Sequence, residues 1–163
     1  MPRAAIIGGG VIGGGWAARF LLMGWDVVVA DPDPEAGRKV GEMLANARHA
    51  VPALYDAALP PEGRLTYAPL AEAVAGADWI QESVPERLDV KHAVFAAIQA
   101  ACPEEAVIAS STSGFTPTEL QAGAARPGQI LVAHPFNPVY LMPVVEIVGS
   151  AATPPEVVEI ARE

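Results

Sequence analysis

The apolar positions of this chain fall in short blocks separated by polar or glycine-rich turns. Ala4-Ala5-Ile6-Ile7 reads as a buried strand, Val11 to Met23 as an amphipathic helix closed by Gly24, and Val27-Val28-Val29-Ala30 as a second strand. After the start signature Pro32-Asp33-Pro34-Glu35, a helix is predicted from Glu35 to Ala58, with Pro52 able to interrupt it. Pro60-Pro61-Glu62-Gly63 is a turn, Leu65-Thr66-Tyr67 a short strand, and Pro69 to Ala75 a short helix stopped by Gly76. Further strands are predicted over Asp78–Val84, over Ala106–Ala109, from Gln129 to Ala133 with His134 at its end, and over Val144–Val148. Helices are predicted over Pro85–Ala101 and Pro117–Ala124, and Pro154 to Glu163 opens another. Pro135-Phe136-Asn137-Pro138 is a rigid loop.

Strands that alternate with helices predict an α/β fold: a doubly wound, mostly parallel sheet with helices on both faces. Such sheets bind ligands beyond the carboxyl ends of their strands. Turn or polar residues gather at five of these exits, at 8–13, Asp31, 83–87, 110–113 and 134–137, which predicts one shared cleft. No repeat or linker divides the chain, so a single domain over residues 1–163 is expected.

The first exit is the most informative. Gly8-Gly9-Gly10-Val11-Ile12-Gly13 follows a strand and opens a helix, and Asp31 ends the next strand. Gly8 permits the turn, Gly10 lets the backbone approach a pyrophosphate, and Gly13 lets the helix pack on the sheet. The helix N-terminus offers N–H groups to the phosphates. Asp31 is placed to accept from the adenosine ribose hydroxyls and to repel a 2′-phosphate, which favours NAD over NADP. The alternative is a tight turn without a ligand. Gly14 and Gly15 argue against it, because glycine in a helix costs roughly 1 kcal/mol and a purely structural turn has no use for two more.

Composition narrows the choice of partner. The 163 residues carry ten Lys+Arg against nineteen Asp+Glu, a net charge of −9, with no basic cluster. Nucleic acid and anionic membranes are therefore not expected as partners. Cys102, the one cysteine, excludes an internal disulfide and reads as a small buried hydrophobe in a reducing compartment. Met1-Pro2-Arg3 leads straight into a strand and no apolar run is long enough to span a bilayer, so no signal peptide or membrane span is expected, and the cytoplasm is.

Candidate chemistry lies at the last two strands. Alternation puts Val144, Glu146 and Val148 on one face, and a carboxylate among valines needs a partner. His134, ending the preceding strand, is the nearest partner type. A carboxylate on one ring nitrogen fixes the tautomer and leaves the other nitrogen as a general base. An alcohol dehydrogenase without metal needs such a base, and no Cys/His cluster suggests a metal. The alternative is a solvated edge-strand Glu146 and an ordinary His134. His49 and His92 read as surface residues, Trp16, Trp25 and Trp79 as packing residues, and Lys91, one of two lysines, as a solvated helix residue.

Four spaced runs carry a resemblance: Ile7-Gly8-Gly9-Gly10-Val11-Ile12-Gly13, Glu82-Ser83-Val84-Pro85-Glu86-Arg87-Leu88-Asp89-Val90-Lys91, Ser110-Ser111-Thr112-Ser113 and His134-Pro135-Phe136-Asn137-Pro138. Together they resemble the N-terminal domain of the 3-hydroxyacyl-CoA dehydrogenase family over nearly the whole chain. The runs Gln81–Lys91 and His134–Glu146 are most similar to members acting on L-carnitine, and Pro135 stands where acyl-CoA members usually carry an aromatic residue.

The resemblance implies a Rossmann-like domain over 1–163, without the helical C-terminal substrate and dimerisation domain of the family. It implies NAD as cofactor, held by Gly8, Gly9, Gly10, Val11, Ile12, Gly13 and Asp31. Glu86 and Lys91 are implied on the cofactor side, Ser113 near the nicotinamide and substrate hydroxyl, and Asn137 against cofactor or substrate. His134 is implied as the base and Glu146 as its partner. The implied reaction oxidises the 3-hydroxyl of a short L-3-hydroxy acid, foremost L-carnitine to 3-dehydrocarnitine. Acyl-CoA and L-gulonate-type substrates are alternatives. Phe136 and Tyr140 could face a quaternary ammonium. The family is implied to be homodimeric, and this chain without its second domain monomeric. The alternative from another class is a non-catalytic NAD-binding module or fragment.

Overall fold

In the computed structural model, which describes residues 1–162, seven strands form one sheet. They are β1 (Arg3–Ile7), β2 (Asp26–Ala30), β3 (Leu65–Tyr67), β4 (Trp79–Glu82), β5 (Val107–Ser110), β6 (Ile130–Pro135) and β7 (Val145–Val148). The helices are α1 (Val11–Leu22), α2 (Ala36–Ala50), α3 (Leu70–Val74), α4 (Leu88–Gln99), α5 (Pro117–Gln121) and α6 (Pro155–Arg162). Glu163, the last residue of the expected terminal helix, lies outside the described residues.

The sheet order is β3-β2-β1-β4-β5-β6-β7. All neighbours are parallel except β6 and β7. The chain winds outward from β1 in one direction and then from β4 in the other, so the switch point lies between β1 and β4. The expected doubly wound, mostly parallel architecture is the observed one.

Strand alternation builds two cores from one sequence. Ala4, Ile6, Val27, Val29, Trp79, Val107, Ala109, Leu131 and Ala133 face one way, against Ala17, Leu21, Val40 and Leu44 of α1 and α2. Ala5, Ile7, Val28, Ile80, Ile108, Ile130 and Val132 face the other, against Val74, Phe95, Ile98 and Leu120 of α3, α4 and α5. Burying a side chain of this size stabilises by roughly 1.5–3 kcal/mol. These two layers fix the strand ends that carry the site.

Helix α4 begins at Leu88 rather than Pro85, α5 ends at Gln121 rather than Ala124, and three further elements differ from expectation. The helix begun near Glu35 ends at Ala50, followed by a 3-10 turn over Val51–Leu54. Pro52 lacks the N–H needed to continue an α-helix and sits in the first turn of the 3-10 segment. Pro135 belongs to β6 rather than to the following loop, as its last residue, paired with Val145. A strand end spares it an interior ladder bond. Strand β7 is an exposed edge, with Val144, Val145 and Val148 all accessible, so burial is not what gives Glu146 its partner. Cys102 is half-buried, with the Arg126 guanidinium 3.5 Å from its sulfur.

Candidate functional site

The parallel strands bring the five polar exits to one edge of the sheet. The first is shaped by close approach. Gly8 has φ +97°, and a Cβ there would stand 2.6 Å from the Ser83 carbonyl oxygen. A Cβ on Gly13 would stand 1.7 Å from the Gly8 carbonyl oxygen. Gly10 is different: a Cβ there would meet nothing within 4 Å, because the position faces an open cleft. Gly10 is also the N-cap of α1 and supplies no side chain to cap it, and the first turn of α1 carries no acid. Its backbone is therefore bare toward the cleft, as an anionic pyrophosphate requires. Val11 is exposed and Ile12 half-buried at the same helix end.

The cleft beside this turn encloses about 1190 Å³ and is lined by Gly8, Gly10, Asp31, Tyr67, Val84 and Val90 among others. It runs from the glycine turn across the ends of β2 and β3. Asp31 holds its rim together: one carboxylate oxygen accepts from the Gly9 N–H at 2.5 Å, the other from the Asp33 N–H at 2.7 Å. Asp33 in turn binds Lys39 Nζ at 2.6 Å. The space and donor set fit an adenosine diphosphate moiety.

On the other side of the switch point, the exits of β4 and β5 are tied by a polar network. Glu82 is fully buried, and its carboxylate accepts from Lys91 Nζ at 2.7 Å, Ser110 Oγ at 2.5 Å and the Val84 N–H at 2.8 Å. Lys91 is enclosed as well, against the pattern reading of a solvated lysine, and its Nζ lies 3.7 Å from Glu86. Glu86 accepts from Thr112 Oγ1 at 2.7 Å and from the Ser113 N–H at 3.1 Å. Partial burial pushes the Glu86 pKa up, but the bonds from Thr112 and Ser113 and the Lys91 charge outweigh it, and the group sits below the usual glutamate range. Behind them, Gln81 donates to Ser111 Oγ at 2.8 Å, and Ser111 and Ser83 share a hydroxyl bond at 2.8 Å.

At the far end, His134 and Glu146 are register partners across β6 and β7, and Nδ1 lies 2.8 Å from the carboxylate. Asn137 and Phe136 are exposed in the loop beyond, and Phe136 meets the imidazole edge-on with centroids 5.4 Å apart. Thus Glu86, Lys91 and Ser113 form one group and His134 and Glu146 another. Among the described residues no hydrogen bond joins the two, and Ser113, His134 and Asn137 stand outside the 1190 Å³ cleft. No group of His, Cys, Asp or Glu able to hold a metal occurs among the described residues. His49 is exposed, while His92 is half-buried, its Nε2 2.7 Å from the Glu119 carbonyl oxygen.

Sequence reasoning passed over Glu82, Gln81, Ser110 and Thr112. A signal was available: Glu82 shares the parity of Ile80 in a strand with both faces covered, and one of the chain's two lysines lies nine residues on.

Comparison with known proteins agrees with this geometry. Residues 3–163 match the family model described as 3-hydroxyacyl-CoA dehydrogenase, NAD binding domain. The chain is 66% identical to an L-carnitine dehydrogenase/betainyl-CoA thioesterase of Ruegeria pomeroyi over 100% of its own length and 34% of that protein. It is 57% identical to an L-carnitine dehydrogenase of Mesorhizobium japonicum over 99% of its length and 45% of that protein. Among solved structures, it superposes with TM-score 0.91 at 34% identity on an NAD+-dependent 5-formyl-3-hydroxy-2-methylpyridine 4-carboxylic acid 5-dehydrogenase, covering 99% of this chain and 53% of that one. The TM-score to 3-hydroxybutyryl-CoA dehydrogenase of Escherichia coli is 0.85 at 31% identity, covering 98% and 34%. The chain thus spans between about a third and a half of the length of these relatives. No helix among the described residues is long and apolar enough to cross a membrane.

Proposed function

The chain belongs to the 3-hydroxyacyl-CoA dehydrogenase family, matching its NAD-binding domain, and from that premise we propose that it serves NAD-dependent oxidation of the 3-hydroxyl of a short L-3-hydroxy acid, L-carnitine foremost. The observation that carries this reading is the 2.8 Å His134–Glu146 pair, set at the same sheet edge as a glycine-lined dinucleotide cleft.

Glu146 accepts from the imidazole Nδ1–H and so leaves the Nε2 lone pair free. Nε2 takes the substrate hydroxyl proton, and Glu146 stabilises the imidazolium that results. NAD+, when bound, supplies the acceptor for the hydride leaving C3. The proton released as the alcohol becomes a ketone would be held on His134. Gly8 to Gly13 and Asp31 would hold the pyrophosphate and adenosine ribose, while Glu86, Lys91, Ser113 and Asn137 would serve the nicotinamide side. Phe136 offers an aromatic face beside His134 for a trimethylammonium group. The chain carries no basic cluster to meet the phosphates of a coenzyme A thioester.

The second reading is a cofactor-binding part that needs the rest of a longer enzyme for turnover, including the helical domain the resemblance implies. The share of each relative that this chain spans favours it. We place the protein in the cytoplasm, where a single cysteine is at home, and its complete form as a homodimer.

Calorimetric titration with NADH, followed by an absorbance assay for NADH production from NAD+ and L-carnitine, tests both. Binding with turnover establishes the activity in this chain. Binding without turnover selects the second reading. No binding by a chain that melts cooperatively refutes the proposal.

A further inference from the structure

Lys91 and Glu82 are a fully buried ion pair at the carboxyl edge of the sheet, and stability does not account for it. Taking two charges out of water costs several kcal/mol per ion, and well-packed apolar residues in their place are often as stable or more so. The pair lies at the strand end nearest the switch point. Its outward neighbours are the residues the nicotinamide side is built from.

The contacts run in one direction. Glu82 is held by β5 through Ser110 and by its own loop through the Val84 N–H. It fixes Lys91 Nζ, which also reaches the Val84 carbonyl oxygen at 3.3 Å. Lys91 presents its charge to Glu86 at 3.7 Å, and Glu86 binds the hydroxyl of Thr112 and the backbone N–H of Ser113. Thr112 Oγ1 then accepts from the N–H groups of Gly114 and Phe115, at 3.3 and 3.2 Å. The exposed loop carrying Ser113 is therefore anchored to the sheet interior by a chain of four charged or polar side chains.

We infer that Glu82 and Lys91 are a positioning pair that sets Glu86 and, through it, the Ser113 loop for the cofactor. Without Lys91, Glu86 would lose the cation 3.7 Å away and its carboxylate would turn more readily to solvent. The loop would then lose the acceptor that anchors Ser113. The inference rests on the reading of the cleft as an NAD site.

The test separates this role from a merely structural one. K91M leaves Glu82 as a lone buried charge and E82Q leaves buried Lys91 only the more distant, partly exposed Glu86, so each should lower the melting temperature. The double variant E82Q/K91M buries no charge and should regain most of that loss, while its NADH dissociation constant stays about tenfold above wild type. E86Q removes a partly exposed carboxylate and should weaken NADH about as much, with a smaller loss of melting temperature than E82Q or K91M alone. Because the pair acts through Glu86, the triple variant should be no worse than E86Q. A double variant with wild-type affinity, losses that add in the triple variant, or an E86Q that binds NADH as wild type would each overturn the inference. An E86Q chain that binds NADH as wild type overturns the inference even if the double variant does not fold. No NADH binding by the wild-type chain would overturn the NAD reading itself, and the inference with it.

Discussion

His134 and Glu146 stand directly opposite each other in the antiparallel β6–β7 pair, and the imidazole Nδ1 lies 2.8 Å from the carboxylate. The antiparallel ladder places their side chains on one face at adjacent positions, so the pair is set by register and not by burial. The Glu146 side chain is 60% exposed and that of His134 25%. Replacing His134 with Ala should reduce turnover by about a thousandfold, the middle of the range for a positioned general base. Glu146→Gln should cost less, on the order of tenfold to a hundredfold, because the base remains but its tautomer and imidazolium lose their partner. NADH affinity should stay within about threefold in both, as neither residue lines the dinucleotide cleft. A large affinity loss measured by titration would move His134 into the cofactor site.

The glycine turn separates folding from binding. Gly13→Ala puts a Cβ where the Gly8 carbonyl oxygen already is, so backbone must move, and the cost should be about 1–3 kcal/mol or more. Gly10→Ala meets no protein atom, and its φ of −71° suits any residue. The fold should lose less than about 1 kcal/mol. NADH affinity should nevertheless fall at least tenfold, roughly 1.4 kcal/mol, because the methyl occupies the space the pyrophosphate needs. Denaturant melts and titrations of the two variants check this, and a Gly10→Ala chain with unchanged affinity would put the phosphates elsewhere.

Much of this fold was legible because strand parity and turn chemistry are local. Ile6 and Ile7, or Val107 and Ile108, divide between two cores by alternation alone. Gly8, Gly13 and Asp31 stand where the spacing predicts, and Glu146 opposite His134 follows once two consecutive strands are taken as neighbours. What lay out of reach depended on residues far apart in the chain. Whether Lys91 was solvated or enclosed turned on Glu82 and Ser110, and the anchoring of Ser113 on a carboxylate 27 residues earlier. The helix overshoot past Ala50 has a different cause. Ala53, Leu54, Ala57 and Ala58 are good helix formers, but Pro52 leaves them without a continuing ladder.

Acidification should destabilise the chain through particular carboxylates. Glu86 sits below its ordinary value of 4.5 as described above. Glu119 is also held down, by the Thr116 N–H and hydroxyl of its capping box, and Asp33, below 3.8, by Lys39 and then the Glu35 N–H. A group whose native pKa is depressed binds fewer protons folded than unfolded. Its contribution is present above the unfolded value and is lost as the pH falls through the native one. The denaturation midpoint should therefore hold steady near neutrality and decline below about pH 4.5. Thr112→Val removes one bond that depresses Glu86 and should flatten part of that decline. An acid limb identical in that variant would show that Glu86 does not contribute.

Cofactor choice should be controlled in two steps at the end of β2. Asp31 both bonds the Gly9 and Asp33 N–H groups and places a negative charge at the edge of the cleft to which we assign the ribose. Asp31→Ala should therefore weaken NADH about tenfold, through the lost ribose acceptor and the loosened turn, and should weaken NADPH less, because a repulsive charge goes with it. It should not create good NADPH binding. Lys39, which feels the Asp31 charge, remains tied to Asp33 at 2.6 Å, and Arg38 to Glu35 and Glu42. Asp31→Ala/Asp33→Asn releases Lys39 toward the position a 2′-phosphate would take, and NADPH affinity should rise above that of Asp31→Ala alone. Adding Lys39→Met should cancel the gain. Titrations with both reduced cofactors give the ratio for each variant. A ratio unchanged by Asp31→Ala would remove Asp31 from cofactor recognition, and a gain that survives Lys39→Met would assign the 2′-phosphate to another cation.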